Sequence, residues 1–161
     1  MFHVRSGNAA DPVRNYTVEP GKTLTGTWSG ISSYALSVYG PNGFVRYFNG
    51  SVGIGAAALS LSAECGLEGF GSIGWAIANA GAKKATVSVI DAYTGNRVTR
   101  QLAAHQNFQD RISLNQFYGW YDLIVTVAED PTFKYRLAGH VETGRDSYSD
   151  PAMGGLVELQ A

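Results

Sequence analysis

Residues 34–52 read Tyr34-Ala-Leu-Ser-Val-Tyr-Gly-Pro-Asn-Gly-Phe-Val-Arg-Tyr-Phe-Asn-Gly-Ser-Val52, and residues 121–141 read Tyr121-Asp-Leu-Ile-Val-Thr-Val-Ala-Glu-Asp-Pro-Thr-Phe-Lys-Tyr-Arg-Leu-Ala-Gly-His-Val141. In both stretches two alternating runs flank a turn, marked by Pro41-Asn-Gly43 or Asp130-Pro131. This pattern predicts a β-hairpin, and the chain contains it twice. The matching residues are Tyr34, Leu36 and Val38 with Tyr121, Leu123 and Val125 (offset 87), and Phe44, Gly50 and Val52 with Phe133, Gly139 and Val141 (offset 89).

The composition favours strands joined by tight turns. The 161 residues include 20 glycines, with abundant Val, Thr, Ser and Tyr, which predicts an all-β chain. Twelve basic and 13 acidic residues give a formal net charge of -1, so the chain lacks the basic surface expected for binding nucleic acid or an anionic membrane. This length suffices for one large β domain or two small ones.

The compartment is not fixed by the residues themselves. Cys65 is the single cysteine and cannot form an internal disulfide, so we interpret it as a small apolar side chain in or beside a strand. No apolar run reaches the ~20 residues needed to cross a bilayer. Residues 1–5 lack the basic and then apolar regions of a signal peptide.

Seven short strands in the second part of the chain predict an immunoglobulin-like antiparallel β-sandwich, with an open barrel as the lesser alternative. The uncharged junction Gly53–Ala58 places a boundary near Gly55. We therefore predict a partial first β-sandwich repeat over 1–55, a complete second repeat over 56–154, and a tail over 155–161. Strands outside the two hairpins are predicted at 13–18, 24–28, 58–63, 73–78, 85–90, 97–102 and 108–114.

The first repeat lacks counterparts of the first two strands of the second repeat. Laying one on the other puts Phe2-His-Val4 on Val87-Ser-Val89 and Trp28 near Ile112, so two strands have no counterpart. The loss would expose an edge and an apolar face, with core residues such as Leu36 uncovered. We expect either a homodimer through the truncated first repeat or the second repeat folding back over it. The dimer is favoured because the short junction limits rotation.

No catalytic, cofactor-binding or metal-binding residues are predicted, so the chain by itself is not expected to be an enzyme. The histidines are scattered without a metal-binding motif, and no nucleophile elbow or phosphate-binding loop is present. The carboxylates do not form a spaced acid–base pair. These residues are His3, His105 and His140, and Asp91, Asp110, Asp122, Glu129 and Asp130.

Aromatic residues divide into two groups. Those that recur in the repeat are predicted to pack in the core. Others lie at turns or outside the repeat, and they are the candidates for surface binding: Tyr93, Phe117, Tyr118, Trp120 and Tyr148. The run Phe117–Trp120 could form a platform for a sugar or a lipid headgroup, or it could cap the core, since aromatics at the start of a strand often do.

Five sequence words resemble a known family, the C-terminal domain of bacterial phosphocholine-type phospholipases C, including the non-haemolytic enzymes, where it is usually a tandem pair. The words are Asn15-Tyr-Thr-Val-Glu-Pro-Gly-Lys22, Tyr39-Gly-Pro-Asn-Gly-Phe44, Gly119-Trp-Tyr-Asp-Leu123, Leu137-Ala-Gly-His-Val-Glu-Thr-Gly144 and Ser149-Asp-Pro-Ala-Met-Gly154. Together they span roughly residues 13–154. Their order and spacing make the resemblance specific.

The resemblance implies an accessory role. In such enzymes, cleavage between diacylglycerol and phosphocholine belongs to a separate phosphatase-like domain, whose residues are not found here. The expected partners are that catalytic domain and a phosphatidylcholine surface, in an extracellular or periplasmic setting. The alternative is a free-standing module that binds carbohydrate or lipid headgroups, and the third possibility is a purely structural interaction domain.

Overall fold

A computed structural model describes residues 1–53 and 55–154, and the predicted tail lies outside these residues. The fold within them is almost entirely β, which confirms the predicted all-β class. The strands are β1 (Phe2–Ser6), β2 (Arg14–Tyr16), β3 (Ser33–Tyr39), β4 (Val45–Ser51), β5 (Leu59–Gly66), β6 (Ser72–Asn79), β7 (Ala85–Asp91), β8 (Arg97–Leu102), β9 (Asn107–Ser113), β10 (Trp120–Val127) and β11 (Asp130–His140). A 3-10 turn (Asn115–Phe117) precedes β10, and a short helix α1 covers Pro151–Gly154.

The strands form two antiparallel sheets. One has eight strands in the order β2-β1-β3-β4-β11-β10-β7-β8, and the other has three in the order β5-β6-β9. Strand β4 pairs with β11, so both repeats contribute to one continuous sheet. The order on one side of this β4–β11 contact mirrors the order on the other. The arrangement agrees with a β-sandwich, whereas the immunoglobulin-like detail stays a prediction.

The two hairpins have the same register, as the repeated sequence predicted. Tyr34 lies opposite Gly50 in the first hairpin, and Tyr121 lies opposite Gly139 in the second. A Cβ atom at either glycine would collide with the hydroxyl of the facing tyrosine. Glycine is therefore required at both positions by the same close approach.

The core lies between the two sheets of the second repeat. Alternate residues of β6, β7, β10 and β11 point into it, as period-two strands require. Its fully buried side chains are Ile73, Ile77, Leu114, Leu123, Val125 and Val141. The indole Nε1 of Trp75 is also buried there and has no hydrogen-bond partner.

The first hairpin is less buried than the second, and one strand predicted in the first repeat is absent. Leu36 and Val38 are partly exposed, whereas their counterparts Leu123 and Val125 are each 2% exposed. The predicted strand over 24–28 is wrong, because the structure has no strand between β2 and β3. Its counterpart β9 pairs only with β6, and none of the described strands takes the place of β6 beside residues 24–28. A strand without a neighbour has no ladder hydrogen bonds to hold it extended.

Asp130 connects the junction between the repeats to the β10–β11 turn. Its carboxylate accepts hydrogen bonds from the backbone N–H of Ala57 at 2.8 Å and from the hydroxyl of Thr132 at 2.6 Å. The Thr132 hydroxyl bond and then the backbone N–H bonds lower the pKa of Asp130 despite its burial. The ionised carboxylate therefore stabilises the fold.

We expect acid to destabilise the protein partly through Asp130. A carboxylate whose pKa is lowered by folding contributes stability above its unfolded pKa of about 3.9, and this contribution is lost as the pH falls through the folded pKa. In urea titrations from pH 6 to pH 2, the free energy of unfolding should decrease less steeply with falling pH in Asp130→Asn than in the natural chain. Asp146→Asn, at an exposed position, is the control. An unchanged slope for Asp130→Asn would contradict this assignment.

Candidate functional site

The loops at one end of the second repeat bring aromatic side chains together. We call Leu67, Phe70, Tyr118, Arg145 and Tyr148 the loop cluster. The rings of Tyr118 and Tyr148 stack with centroids 4.4 Å apart, and Phe70 packs edge-on against Tyr118 at 5.5 Å. The Arg145 guanidinium lies 5.9 Å from the centre of the Phe70 ring. Leu67 belongs to the same β5–β6 loop as Phe70.

Exposure distinguishes this cluster from the rest of the second repeat. Leu67 is 65% exposed, Tyr118 is 42% exposed and Tyr148 is 51% exposed. The other exposed large apolar side chains of the described residues all lie in the first repeat: Met1, Val13, Leu24, Ile31 and Val52. The exposed large apolar side chains of the described part of the second repeat therefore all belong to the loop cluster.

The backbone holds Tyr118 at the surface. Tyr118 has a φ of 53°, in the left-handed region, and Gly119 follows with a φ of 93°. A Cβ at position 119 would lie 3.0 Å from the carbonyl oxygen of Phe70 and 2.9 Å from Nε2 of His140. His140 in turn hydrogen-bonds the Tyr118 carbonyl oxygen through Nε2 at 2.9 Å. This turn directs the Tyr118 ring toward Phe70 and Tyr148.

Trp120 supports the loop cluster through a hydrogen bond to Tyr148. Its Nε1 donates a hydrogen bond to the carbonyl oxygen of Tyr148 at 2.8 Å, and its ring packs 4.8 Å from that of His140. On another side a Cβ at Gly43 would lie 2.6 Å from the Trp120 ring. Trp120, one of the five predicted surface-binding residues, is thus held in place by its neighbours.

Tyr93 and Phe117 form a second stacked pair, with centroids 4.8 Å apart. The Tyr93 hydroxyl donates a hydrogen bond to Asp150 at 2.8 Å. Burial raises the pKa of Tyr93 well above its usual value, and the Asp150 bond adds to this effect. Both rings are partly buried, so they present less surface than Tyr118 and Tyr148.

A groove of about 740 Å³ lies beside Tyr93, where β4 of the first repeat meets β11 and β10 of the second. Arg136 and Asp122 form a bidentate ion pair in it, with N–O distances of 2.7 and 2.5 Å. The bond to Asp122 raises the pKa of Arg136, so its guanidinium stays charged. The aromatic side chains that line the groove are Tyr47, Tyr93, Trp120 and Tyr121.

The Arg136–Asp122 pair was not predicted from the sequence, although the hairpin contains a signal for it. Asp122 lies opposite Ala138 and Arg136 lies opposite Ile124, so the two charged residues are diagonal neighbours on one face of the sheet. This relation follows from the predicted register of residues 121–141. Phe70 and Leu67 were missed because they come from a distant loop.

The carboxylates that could suggest catalysis have structural partners. Glu129 accepts hydrogen bonds from the backbone and hydroxyl of Thr86, each at 2.7 Å. Asp91 closes its own turn by accepting from the Tyr93 N–H and the Thr94 hydroxyl. Across residues 1–53 and 55–154, no three His, Cys, Asp or Glu side chains come together in a way that could hold a metal ion. No helix in these ranges is long and apolar enough to span a membrane.

Comparisons with known proteins give the family. The chain matches the family described as bacterial phospholipase C, C-terminal domain, over residues 1–51 and 56–140. It is 42% identical over 160 residues to a non-hemolytic phospholipase C of Burkholderia pseudomallei, covering 93% of this chain and 22% of that protein. A hemolytic phospholipase C of Pseudomonas aeruginosa is 33% identical over 172 residues, covering 95% of this chain and 23% of that protein.

A non-hemolytic phospholipase C of Pseudomonas aeruginosa is 32% identical over 155 residues, covering 91% of this chain and 22% of that protein. The chain thus spans less than a quarter of the length of these curated relatives. The matches confirm the resemblance that the five sequence words indicated. This chain belongs to the family of bacterial phospholipase C C-terminal domains.

Proposed function

We propose that this chain is a non-catalytic accessory domain that holds a phospholipase C against a phosphatidylcholine surface through the loop cluster. The observation that carries the proposal is the joint exposure of Leu67, Tyr118 and Tyr148 at one end of the second repeat. The stacked rings of Tyr118 and Tyr148 form a contiguous exposed patch, and such patches commonly mark interaction sites. The catalytic domain of the same enzyme is the proposed partner on the protein side.

The chemistry of the loop cluster suits a lipid interface. Tyrosine side chains prefer the boundary between water and hydrocarbon, where the ring contacts hydrocarbon and the hydroxyl contacts water. Fully burying a leucine side chain is worth about 1.5–3 kcal/mol, so Leu67 alone could contribute measurably. Arg145 is flanked by Asp146, and Glu68 lies beside Leu67. This charge balance suits a zwitterionic surface better than a strongly anionic one.

The described carboxylates support the non-catalytic part of the proposal. Asp122, Asp130 and Glu129 each have charge-assisted hydrogen bonds to the protein itself, which stabilise the fold. A general acid or base must exchange a proton with a substrate, and a nucleophile needs an adjacent base.

We also propose an extracellular or periplasmic location, because an enzyme that acts on an external phosphatidylcholine surface works outside the cytoplasm.

A second candidate function is a free-standing module that binds carbohydrate or lipid headgroups, and the groove favours it. Its volume of about 740 Å³ is typical of small-molecule sites. Tyr47 and Tyr93 offer aromatic surface, and the Arg136–Asp122 pair offers charged hydrogen-bonding groups. Saturable glycan binding that Tyr47→Ala abolishes, without vesicle binding, would favour this function over the accessory one.

The test of the first proposal is cosedimentation of the chain with phosphatidylcholine vesicles. We expect binding that weakens at least about tenfold in Leu67→Ser/Tyr118→Ser, because two exposed apolar contacts are lost. Val52→Ser is the matched control, since Val52 is a 56% exposed apolar residue of the first repeat. Equal binding by the double variant and the natural chain would contradict the role of the loop cluster.

A further inference from the structure

The groove beside Tyr93 has a floor of small residues between larger side chains. Ala138 points away from the core, because its neighbour Leu137 points into it. On this outer face of the large sheet, Ala138 lies opposite Val45 of β4 and opposite Asp122 of β10. The methyl group of Ala138 is too short to fill the space above these strands, which leaves an open volume of about 740 Å³.

The chain returns to this groove after β11 and forms one of its walls. Trp120 donates a hydrogen bond from Nε1 to the Tyr148 carbonyl oxygen at 2.8 Å, and the Tyr93 hydroxyl donates to the Asp150 carboxylate at 2.8 Å. The same carboxylate accepts the backbone N–H of Ala152 at 2.8 Å. These bonds fix the segment along the groove, so the carboxylate of Asp150 is held in the wall.

The charged side chains that line the groove are two carboxylates, Asp122 and Asp150, and one guanidinium, Arg136. Two negative charges and one positive charge leave an excess of one negative charge. Arg136 donates to Asp122 from Nε at 2.7 Å, and the Asp122 side chain is only 12% exposed. Because Arg136 is paired with Asp122, the charge of Asp150 belongs to no ion pair within residues 1–53 and 55–154. The groove therefore favours a cation over an anion.

Aromatic rings supply the apolar part of the groove. Tyr47 extends from β4, Tyr93 from the β7–β8 turn and Trp120 from β10. Phe117 stacks on Tyr93 with ring centroids 4.8 Å apart, which fixes the Tyr93 ring. Burial and then the bond to Asp150 raise the pKa of Tyr93, so its phenol stays neutral. The negative face of an aromatic ring attracts cations, and recognition of quaternary ammonium ions by such rings is a recurrent use of this attraction.

We propose that the groove is a binding site for an organic cation with an alkylated ammonium group, of which choline is the simplest probe. The Asp150 carboxylate supplies the opposite charge, and the rings of Tyr47 and Tyr93 contact the methyl groups. A carboxylate without rings would serve a hydrated metal ion equally well. A neutral sugar would use the rings but leave the charge of Asp150 without a counter-charge. The alkylated cation uses both.

The inference deepens the second candidate function, on which it rests, by naming the class of ligand. It does not depend on the loop cluster, because none of the described residues that line the groove belongs to that cluster. A loss of vesicle binding in Leu67→Ser/Tyr118→Ser therefore leaves the inference standing. An alkylated ammonium group can reach the groove in a free soluble molecule or in the headgroup of a phosphatidylcholine surface, and the experiment separates these two sources.

The first measurement is an NMR titration of the chain with choline and with dimethylbutanol, the neutral carbon analogue of choline. The two probes have the same shape and differ in charge. We expect choline to bind at least about tenfold more tightly, because only the cation is attracted by the rings and by Asp150. The shift changes should centre on Tyr47 and Trp120. Equal binding of the two probes, or no binding of choline by the folded chain, would overturn the inference.

Three variants locate the site. Ala138→Leu fills the floor of the groove and leaves its charged groups in place. Asp150→Asn removes the charge but keeps an oxygen that can accept the hydrogen bond from Tyr93. Tyr47→Leu replaces an aromatic ring with an aliphatic side chain. We expect each change to weaken choline binding by about tenfold or more. Unchanged choline binding in Ala138→Leu or in Asp150→Asn would overturn the inference.

Each variant has a matched control. Ala76→Leu enlarges a half-buried alanine on the three-stranded sheet, away from the groove. Asp146→Asn removes an exposed charge from the segment that follows β11. Tyr47→Phe keeps the ring and removes only the hydroxyl. All three controls should bind choline within about twofold of the natural chain, because the carboxylate and the rings of the groove are retained.

Vesicles and glycans complete the test. Given choline binding, a tenfold loss of phosphatidylcholine vesicle binding in Ala138→Leu supports the site with a lipid headgroup as the source of the cation. Unchanged vesicle binding in that variant supports the site with a free soluble cation as the source. Saturable glycan binding without choline binding would overturn the inference and leave the second candidate function standing. A folded chain that binds neither choline nor glycans would overturn both.

Discussion

Replacing Leu123 with alanine should lower the free energy of unfolding by about 3–5 kcal/mol, the largest effect that we expect from a single truncation. Leu123 is 2% exposed in the core of the second repeat, so the change leaves a cavity that packed neighbours cannot fill. Guanidinium titration followed by tryptophan fluorescence gives the measurement.

The repeat provides the matched control. Leu36 occupies the same register position in the first hairpin, but it is partly exposed. Leu36→Ala should therefore cost only about 1 kcal/mol, because less surface was removed from water and water can enter the space. Equal losses at the two positions would contradict the claim that the first repeat lacks its covering sheet.

Gly119→Ala should destabilise the protein by about 2–3 kcal/mol and weaken vesicle binding. The position has a φ of 93°, which is strained for any residue with a Cβ. The new methyl group would also press against the Phe70 carbonyl and the His140 ring. The hydrogen bond from His140 to the Tyr118 carbonyl oxygen holds the turn that exposes Tyr118, so the loop cluster should be disturbed as well.

Gly95→Ala separates the two causes. Its φ is 73°, and a Cβ there would meet nothing within 4 Å. This variant should cost about 1 kcal/mol from backbone strain alone and leave vesicle binding unchanged. If Gly119→Ala costs no more than Gly95→Ala in the same titration, the close packing around Gly119 is not important for the fold.

The repeat was predictable from the sequence because each hairpin encodes its own register. Alternating apolar residues fix which face is buried, and the Tyr–Gly pairs at 34/50 and 121/139 repeat the same close contact. Strand 24–28 was mispredicted because its alternation is local, whereas a strand also requires a neighbour. Sequence patterns report the first condition and not the second.

The candidate site was only partly predictable. Tyr118 and Tyr148 could be singled out because they lie outside the repeated pattern. Their contact with Phe70 depends on how three separate loops meet at the end of the sandwich, and loop geometry is not encoded by periodicity. Trp120 was grouped with them, but its hydrogen bond to the Tyr148 carbonyl and its contact with His140 make it a support for the cluster.

The proposed role of the loop cluster is tested most directly in a full-length phospholipase C that contains this domain. The measurement compares hydrolysis of phosphatidylcholine vesicles with hydrolysis of a soluble phosphocholine ester by the natural enzyme and by Leu67→Ser/Tyr118→Ser. We predict a loss of about tenfold on vesicles and no change on the soluble ester, because the proposed role of the loop cluster is confined to the lipid surface. Equal losses on both substrates, or no loss on vesicles, would contradict this role.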